Sequence, residues 1–257
     1  MRVLAIGDIV GKNGVDFLRS KINNLKQEKN IDFVIANGEN SAEGNGITPE
    51  SASKIFGAGV DVITGGNHSF RRKEIFSYMK TNRRLLRPYN FPAKTTPGFG
   101  YCKTQVNNIN IAVINIMGVS YLESLKCPFE SLEEAVNLCR ECPVKIVDIH
   151  AETTAEKLAL SYYIDGKVSA IFGTHTHVQT SDETIRTNGT GYITDVGMTG
   201  SIESVLGVKK ELSIKRLKDK LPVRFENADG PCKLECVIFD INPETTRTEY
   251  IERLRII

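Results

Sequence analysis

The chain has 257 residues, of which 40% are hydrophobic and 25% charged, with a formal net charge of +2. That composition supplies enough apolar surface for a large buried core, and the near-neutral balance argues against a protein that binds nucleic acid chiefly by neutralising many phosphates. A short or cyclic nucleotide, or another small phosphorylated ligand, stays compatible with it.

No uncharged apolar stretch approaches the roughly 18 residues of a membrane span. The N-terminus enters a strand pattern where a signal peptide would show its apolar region and cleavage site, so the expectation is a cytoplasmic protein. The six cysteines, Cys102, Cys127, Cys139, Cys142, Cys232 and Cys236, are then expected as free thiols. Unequal spacings, and Pro143 after Cys142, speak against structural zinc. The pair Cys139 and Cys142 follows a helix instead of starting one, which speaks against a thioredoxin-like role.

In chain order, Arg2 to Ile6 reads as a strand, Gly7 to Gly14 as a glycine-bearing loop, and Val15 to Glu28 as an amphipathic helix with Phe17, Leu18, Ile22 and Leu25 on one face. Asp32 to Ala36 is a second strand. The polar stretch Asn37 to Gly46 then leads to Thr48 and Pro49, a cap followed by proline in the first turn of a helix. Val60 to Thr64 is a third strand and Arg71 to Lys80 a helix. The alternation predicts parallel βαβ units whose strand ends share one side of the sheet, so Asp8, Glu39 and Asn67 can converge.

The segment Arg87 to Gly100 contains three prolines and two glycines, and the flanks of Asn107 and Asn108 look like a hairpin. Ser131 with Glu134, and Thr153 with Glu156, form capping-box patterns, the first for a helix running to Cys139 and the second just after His150. Val168 to Phe172 and Tyr192 to Thr194 add strands, and Leu234 to Ile241 with Thr248 to Ile256 predict a closing antiparallel pair.

The chemistry gathers at strand ends, where α/β proteins keep their sites. His68, His150, His175 and His177 all stand behind short apolar runs, and two further runs end in Gly7 with Asp8 and in Gly38 with Glu39 and Asn40. Each place supplies oxygen or nitrogen donors, and imidazole with carboxylate suits zinc, iron or manganese far better than calcium. A carboxylate shared between two ions would offset their repulsion, which makes a two-metal centre the sharper reading. Adjacent glycines allow sharp turns and close approach of a substrate. His175 and His177, one residue apart, point to the same face if the segment is extended.

The order Gly-Asp, Gly-Glu-Asn, Gly-Asn-His, a strand-end His, then Gly-Thr-His-Thr-His resembles the calcineurin-like metallophosphoesterases. More narrowly, Gly7 Asp8 Ile9 Val10 Gly11 with Asn37 Gly38 Glu39 Asn40 resembles the bacterial YmdB-like phosphodiesterase branch, over essentially the whole length. The resemblance implies a four-layer α/β/β/α sandwich formed by a single domain over residues 1 to 257. It also implies a dinuclear iron or manganese centre and hydrolysis of phosphodiesters including 2′,3′-cyclic nucleotides; the favoured function is a metal-dependent phosphodiesterase acting on small cyclic nucleotides, such as 2′,3′-cAMP, or short RNA ends. Carried over by position, Asp8, Glu39, Asn40 and His177 would hold one ion and Glu39, Asn67, His150 and His175 the other. His68 is left to donate a proton to the leaving oxygen. Two positions depart from the broader pattern: Val10 stands where an imidazole is expected, with Asn40 as its replacement, and Glu39 stands for an aspartate.

A phosphomonoesterase, acting on proteins among other substrates, and a non-catalytic nucleotide-binding regulator are the alternatives. The basic residues Arg71, Arg72, Lys73, Arg83, Arg84 and Arg87 could steer an anion or form a solvated face. Ser41, Glu43 and Asn45 are explained by turn chemistry. A homo-oligomer is left open, since nothing in the sequence marks a dimer surface.

Overall fold

The computed structural model describes residues 1–257. In chain order the strands are β1 (Arg2–Ile6), β2 (Asp8–Ile9), β3 (Phe33–Asn37), β4 (Val62–Thr64), β5 (Tyr101–Val106), β6 (Ile109–Met117), β7 (Val144–His150), β8 (Ala170–Thr174), β9 (Thr184–Ile185), β10 (Gly191–Ile193), β11 (Met198–Ser201), β12 (Cys232–Ile241) and β13 (Thr248–Ile256). The helices are α1 (Gly11–Glu28), α2 (Pro49–Gly57), α3 (Ile75–Thr81), α4 (Pro128–Leu138), α5 (Thr154–Tyr163) and α6 (Lys210–Asp219).

The strands form two sheets. One runs β2-β11-β12-β1-β3-β4, with β13 also paired to β12, and the other runs β5-β6-β7-β8-β10-β9. Strands β1, β3 and β4 are parallel, as are β6, β7, β8 and β10. The closing pair is antiparallel as its sequence predicts, with Leu234 opposite Ile256 and Phe239 opposite Ile251. In the β5–β6 hairpin, Asn107 and Asn108 both take positive φ, 49° and 65°, as the favoured two-residue turn demands.

Alternation along each strand sorts the apolar side chains into three layers. Leu4, Ile6, Val34, Ala36 and Ile238 pack outward against Leu18 and Ile22 of α1, Ile55 of α2 and Met79 of α3. Their neighbours Val3, Ala5, Phe33, Ile35 and Phe239 point the other way and meet Ile111, Val113, Ile146, Ala170 and Phe172 of the second sheet. Ile114, Val147, Ile149 and Ile171 pack on the far side against Leu132 and Ala135 of α4 and Leu160 of α5. The result is the expected order of helix, sheet, sheet, helix. All six cysteines are free; burial pushes the thiol of Cys139 up to about 12.

Three helix starts differ from the sequence reading. α1 begins at Gly11, four residues ahead of Val15, because it lies flat on β11: a Cβ on Gly14 would sit 2.4 Å from the Thr199 carbonyl oxygen. α3 begins only at Ile75, after a turn closed by the Arg71 N–H on the His68 carbonyl. α4 begins at Pro128, so Ser131 is a buried residue inside it and not its cap. Thr153 does cap α5, accepting from the Glu156 N–H, but the Glu156 carboxylate turns away to the N–H groups of Val119 and Ser120.

Ile146 is fully buried between the sheets. Ile146→Ala is expected to lower unfolding free energy by about 2–5 kcal/mol, whereas Tyr121→Ala, at a side chain 90% exposed, should change it by less than about 0.5 kcal/mol. Urea denaturation of both variants checks the contrast, and equal effects would contradict the layer assignment.

Candidate metal centre

The layer between the sheets changes character at the C-terminal ends of its parallel strands. Along β7, Val144 and Ile146 face the middle core, so Asp148 and His150 face the same way. By the same parity Asn37 follows Phe33 and Ile35 on β3, Thr64 follows Val62 on β4, and Thr174 follows Ala170 and Phe172 on β8. These five polar side chains are fully buried and bond to one another across the gap. Thr64 donates to Asp148 Oδ2, Thr174 donates to Asp148 Oδ1 at 2.7 Å, and Asn37 Nδ2 approaches Asp148 at 3.4 Å.

Above this floor sits the proposed ligand set. Glu39 and Asn40 follow β3, and Asp8 lies where the chain leaves β1 and crosses to pair with β11. Gly7 permits that crossing: a Cβ on it would lie 2.1 Å from the Gly197 carbonyl oxygen. Glu39 Oε1 is 3.2 Å from His150 Nε2 and 3.3 Å from Asn40 Nδ2, while Oε2 accepts the His68 N–H at 2.9 Å. One oxygen of Glu39 therefore faces two clusters. In the first, Asn40 Nδ2 is 3.4 Å from Asp8 Oδ1 and 3.3 Å from His177 Nε2. In the second, His150 Nε2 is 2.9 Å from Asn67 Oδ1 and 3.1 Å from His175 Nδ1.

These spacings fit cations. Bonds of about 2.1 Å to nitrogen and oxygen donors leave neighbouring donors roughly 3–3.5 Å apart, which is the spacing of Asp8 Oδ1 and His177 Nε2, 3.5 Å, in the first cluster and of His150 Nε2 with Asn67 Oδ1 and His175 Nδ1 in the second. Asn40 turns its amide nitrogen to the first cluster and would ligate with the amide reversed, Oδ1 inward. Glu39, His150 and His175 alone offer three donor atoms within 4.8 Å of one another. Gly66 passes so close that a Cβ there would sit 2.3 Å from His150 Nε2 and 2.5 Å from Glu39 Oε2, a cradle that an added methyl would fill.

The outer nitrogen of each proposed histidine ligand has its own oxygen partner. His150 Nδ1 pairs with Thr174 Oγ1 at 2.9 Å, His177 Nδ1 with the Leu206 carbonyl at 3.0 Å, and His175 Nε2 with Glu152 Oε2 at 2.8 Å. Outer partners of this kind place the ring proton outward and leave the inner nitrogen free to ligate.

Charge in the pocket is balanced by imidazole alone. Asp8 and Glu39 are buried, and their ion-pair partners are His177 for Asp8, and His68 and His150 for Glu39. Burial opposes ionisation of both carboxyls, yet His177 holds Asp8 below its ordinary value, and His150 and His68 hold Glu39 well below. Burial works against charging His150 too, but Glu39 and Asp8 push it up to about 9. His175 shifts down, through burial and the neighbouring His150. A cation would take the place of the proton that His150 otherwise retains.

All eight residues singled out in the sequence therefore meet: Asp8, Glu39, Asn40, Asn67, His68, His150, His175 and His177. The route of the last pair differs from the expectation. β8 ends at Thr174, and His175 and His177 take φ of 101° and 61°, so they reach the centre from a left-handed turn and not from one face of an extended strand. The turn is held by Asp195, whose Oδ2 accepts the Thr176 N–H at 3.1 Å and the Lys157 ammonium at 2.8 Å.

Four of the six basic residues have structural partners. Arg72 donates to the carbonyls of Asn45 and Glu43, Arg83 and Arg84 lie over Phe99 and Phe56, and Arg87 bonds the carbonyls of Pro88 and Tyr89. Asn37 and Thr174 had no role in the sequence reading, though both stand in the motifs, and neither did Thr64, Glu152, Lys157 and Asp195; of the six, Asn37, Thr174 and Thr64 carried a signal. That signal was a polar residue in register with an apolar strand face.

The YmdB-like protein family profile matches residues 4–254. A protein of Bacillus subtilis (strain 168) described as a 2′,3′-cyclic-nucleotide 2′-phosphodiesterase is 44% identical over 257 residues, covering 100% of this chain and 97% of the relative. Among solved structures, a protein from Thermus thermophilus described as hypothetical superposes with a TM-score of 0.94 at 34% identity, covering 100% of this chain and 99% of the other. A structure from Mycoplasma pneumoniae described as a novel phosphatase gives 0.94 at 34% identity, covering 100% and 93%.

Lys157 and Asp195 form a fully buried ion pair. Lys157→Met leaves the carboxylate uncompensated and is expected to cost about 3–5 kcal/mol. Chemical denaturation measures this, and a loss below about 1 kcal/mol would remove Asp195 as the anchor of the histidine turn.

Proposed function

Because this chain belongs to the YmdB-like protein family, we propose that it is a metal-dependent phosphodiesterase that hydrolyses 2′,3′-cyclic nucleotides such as 2′,3′-cAMP. The observation that carries the reading is the shared oxygen of Glu39, set between two clusters whose histidines each have the outer nitrogen occupied. Asp8, Glu39, Asn40 and His177 would hold one ion, and Glu39, Asn67, His150 and His175 the other. Mixed imidazole and carboxylate donors favour iron or manganese over calcium or magnesium. Bound there, two cations supply charge neutralisation at the phosphoryl oxygens and an acidified water. Residues 1–257 act as one unit in this reading, because Asp8 and Glu39 follow strands of one sheet while His150 and His175 belong to strand ends of the other.

His68 is the proton donor. Its backbone N–H is fixed on Glu39 Oε2 and its Nδ1 lies 2.8 Å from the side-chain amide of Asn40, which leaves Nε2 for the cavity. For a 2′,3′-cyclic substrate, water adds to phosphorus, the bond from phosphorus to O2′ breaks, and O2′ takes the proton from His68. The product is the nucleoside 3′-phosphate.

The cavity over the centre measures about 330 Å³, room for a mononucleotide at the small end of ligand pockets. A neighbouring cavity shares Gly44, Asn45 and Phe225 with it and adds Arg72 and Arg224 together with Glu43 and Glu226, a balanced lining that gives the end of an RNA chain no net attraction, so a free cyclic nucleotide is the substrate in this reading. No helix is long and apolar enough to cross a membrane.

Incubation with 2′,3′-cAMP and added manganese, with chromatographic separation of 2′- and 3′-AMP, tests the reading. Release of 3′-AMP, faster than hydrolysis of p-nitrophenyl phosphate, is the expected result. Faster monoester turnover would favour the phosphomonoesterase, and no turnover of either would favour a binding protein. His68→Ala is expected to lower kcat by about 10²–10⁴-fold while elemental analysis finds the metal content kept; loss of both would make His68 a ligand.

A further inference from the structure

The cavity has a second wall that the metal ligands do not form. Between β11 and β12 the chain leaves the sheet, and its outgoing and returning limbs pair as a short ribbon. Val208 bridges Asn227, the Lys209 N–H donates to the Glu226 carbonyl at 3.0 Å, and the Ala228 N–H donates to the Gly207 carbonyl at 2.8 Å. Val208 on one limb and Phe225 and Asn227 on the other all line the cavity, joined by Leu206 from the preceding turn. The ribbon is tied to the centre, since the Leu206 carbonyl accepts from His177 Nδ1.

Val10 completes this wall. It stands where the broader sequence pattern places an imidazole, and here it packs against the ribbon so closely that a Cβ on Gly207 would lie 2.4 Å from its Cγ1. The position has become part of an apolar surface. Phe225 and Leu206 remain 44% and 47% exposed, while the Asn227 amide nitrogen is buried against Gly11, where a Cβ would lie 2.0 Å from it. Exposed apolar side chains grouped in a cavity wall across from a charged centre are the makeup of a site for a ligand with a flat apolar part.

We propose that this wall is a nucleobase subsite, with Phe225 as the stacking platform and Val10, Leu206 and Val208 enclosing the ring. The proposal rests on the nucleotide diesterase reading, since the base must hang from the ribose whose phosphate reacts. Stacking on an aromatic face accepts every base, so the substrates are nucleoside 2′,3′-cyclic phosphates in general, purines ahead of pyrimidines through their larger stacking area. A base-free cyclic phosphate is disfavoured.

The test compares kcat/KM for 2′,3′-cAMP and for ribose 2′,3′-cyclic phosphate in the wild type, Phe225→Ala and Phe225→Tyr, with adenosine binding measured by calorimetry. In Phe225→Ala the preference for 2′,3′-cAMP is expected to fall about tenfold, about 1.4 kcal/mol, mainly through KM. Adenosine binding should weaken in parallel, and Phe225→Tyr should keep both. An unchanged preference, or adenosine binding undiminished by Phe225→Ala, would overturn the subsite. If the wild type hydrolyses no diester, the function reading fails, and the adenosine titration still decides the subsite.

Discussion

Two carboxylates, Asp8 and Glu39, are held out of water at the polar end of the layer between the sheets, where histidines supply all their ion-pair partners. Burial of an uncompensated carboxylate costs several kcal/mol, so a fold that places two such groups side by side is committed to supplying positive charge there. Protonated imidazole can do so in part, which is why His150 is pushed up to about 9. The outer hydrogen bonds of His150, His175 and His177 leave their inner nitrogens free as ligands, a geometry suited to cations.

The rest of the architecture serves that constraint. Apolar residues fill the middle layer along most of each strand, and in the last residues of β3, β4, β7 and β8 the same face turns polar through Asn37, Thr64, Asp148 and Thr174. These groups satisfy one another, so the floor beneath the centre carries its polarity without leaving those donors unpaired. On the histidine side the Lys157 and Asp195 pair fixes the turn between the two imidazoles. Positive φ at both His175 and His177 takes the chain off the strand path, and such a conformation persists only where surrounding bonds over-determine it.

Much of this was legible in the sequence, for a physical reason. Buried parallel strands are continuous apolar runs, so β1, β3, β7 and β8 stood out and their ends could be searched for donors; Asp8, Glu39, His150 and the two later histidines were found that way. Asn40 and Asn67 were found at strand ends in the same way, and the division of the ligands between two ions and the proton-donor role of His68 came with the family resemblance. Short elements carried no such signal: β2 has two residues, β9 has two, and β11 is Met-Thr-Gly-Ser, too brief for periodicity to register. α6 buries only Ser213, so it lacks the apolar stripe by which a helix is recognised. Lys157 and Asp195 lie far apart in sequence, and only the fold shows that they meet beneath the histidine turn. The ribbon wall with Phe225 was invisible for the same reason.

The central claim is that Glu39 joins two cations in one centre. Titration of metal-free protein with manganese(II), followed by electron paramagnetic resonance, tests it most directly. Two manganese ions per chain, with the exchange-coupled spectrum of a pair sharing a bridging carboxylate, is the predicted result. A single bound ion, or two ions with the spectrum of isolated manganese, would contradict it.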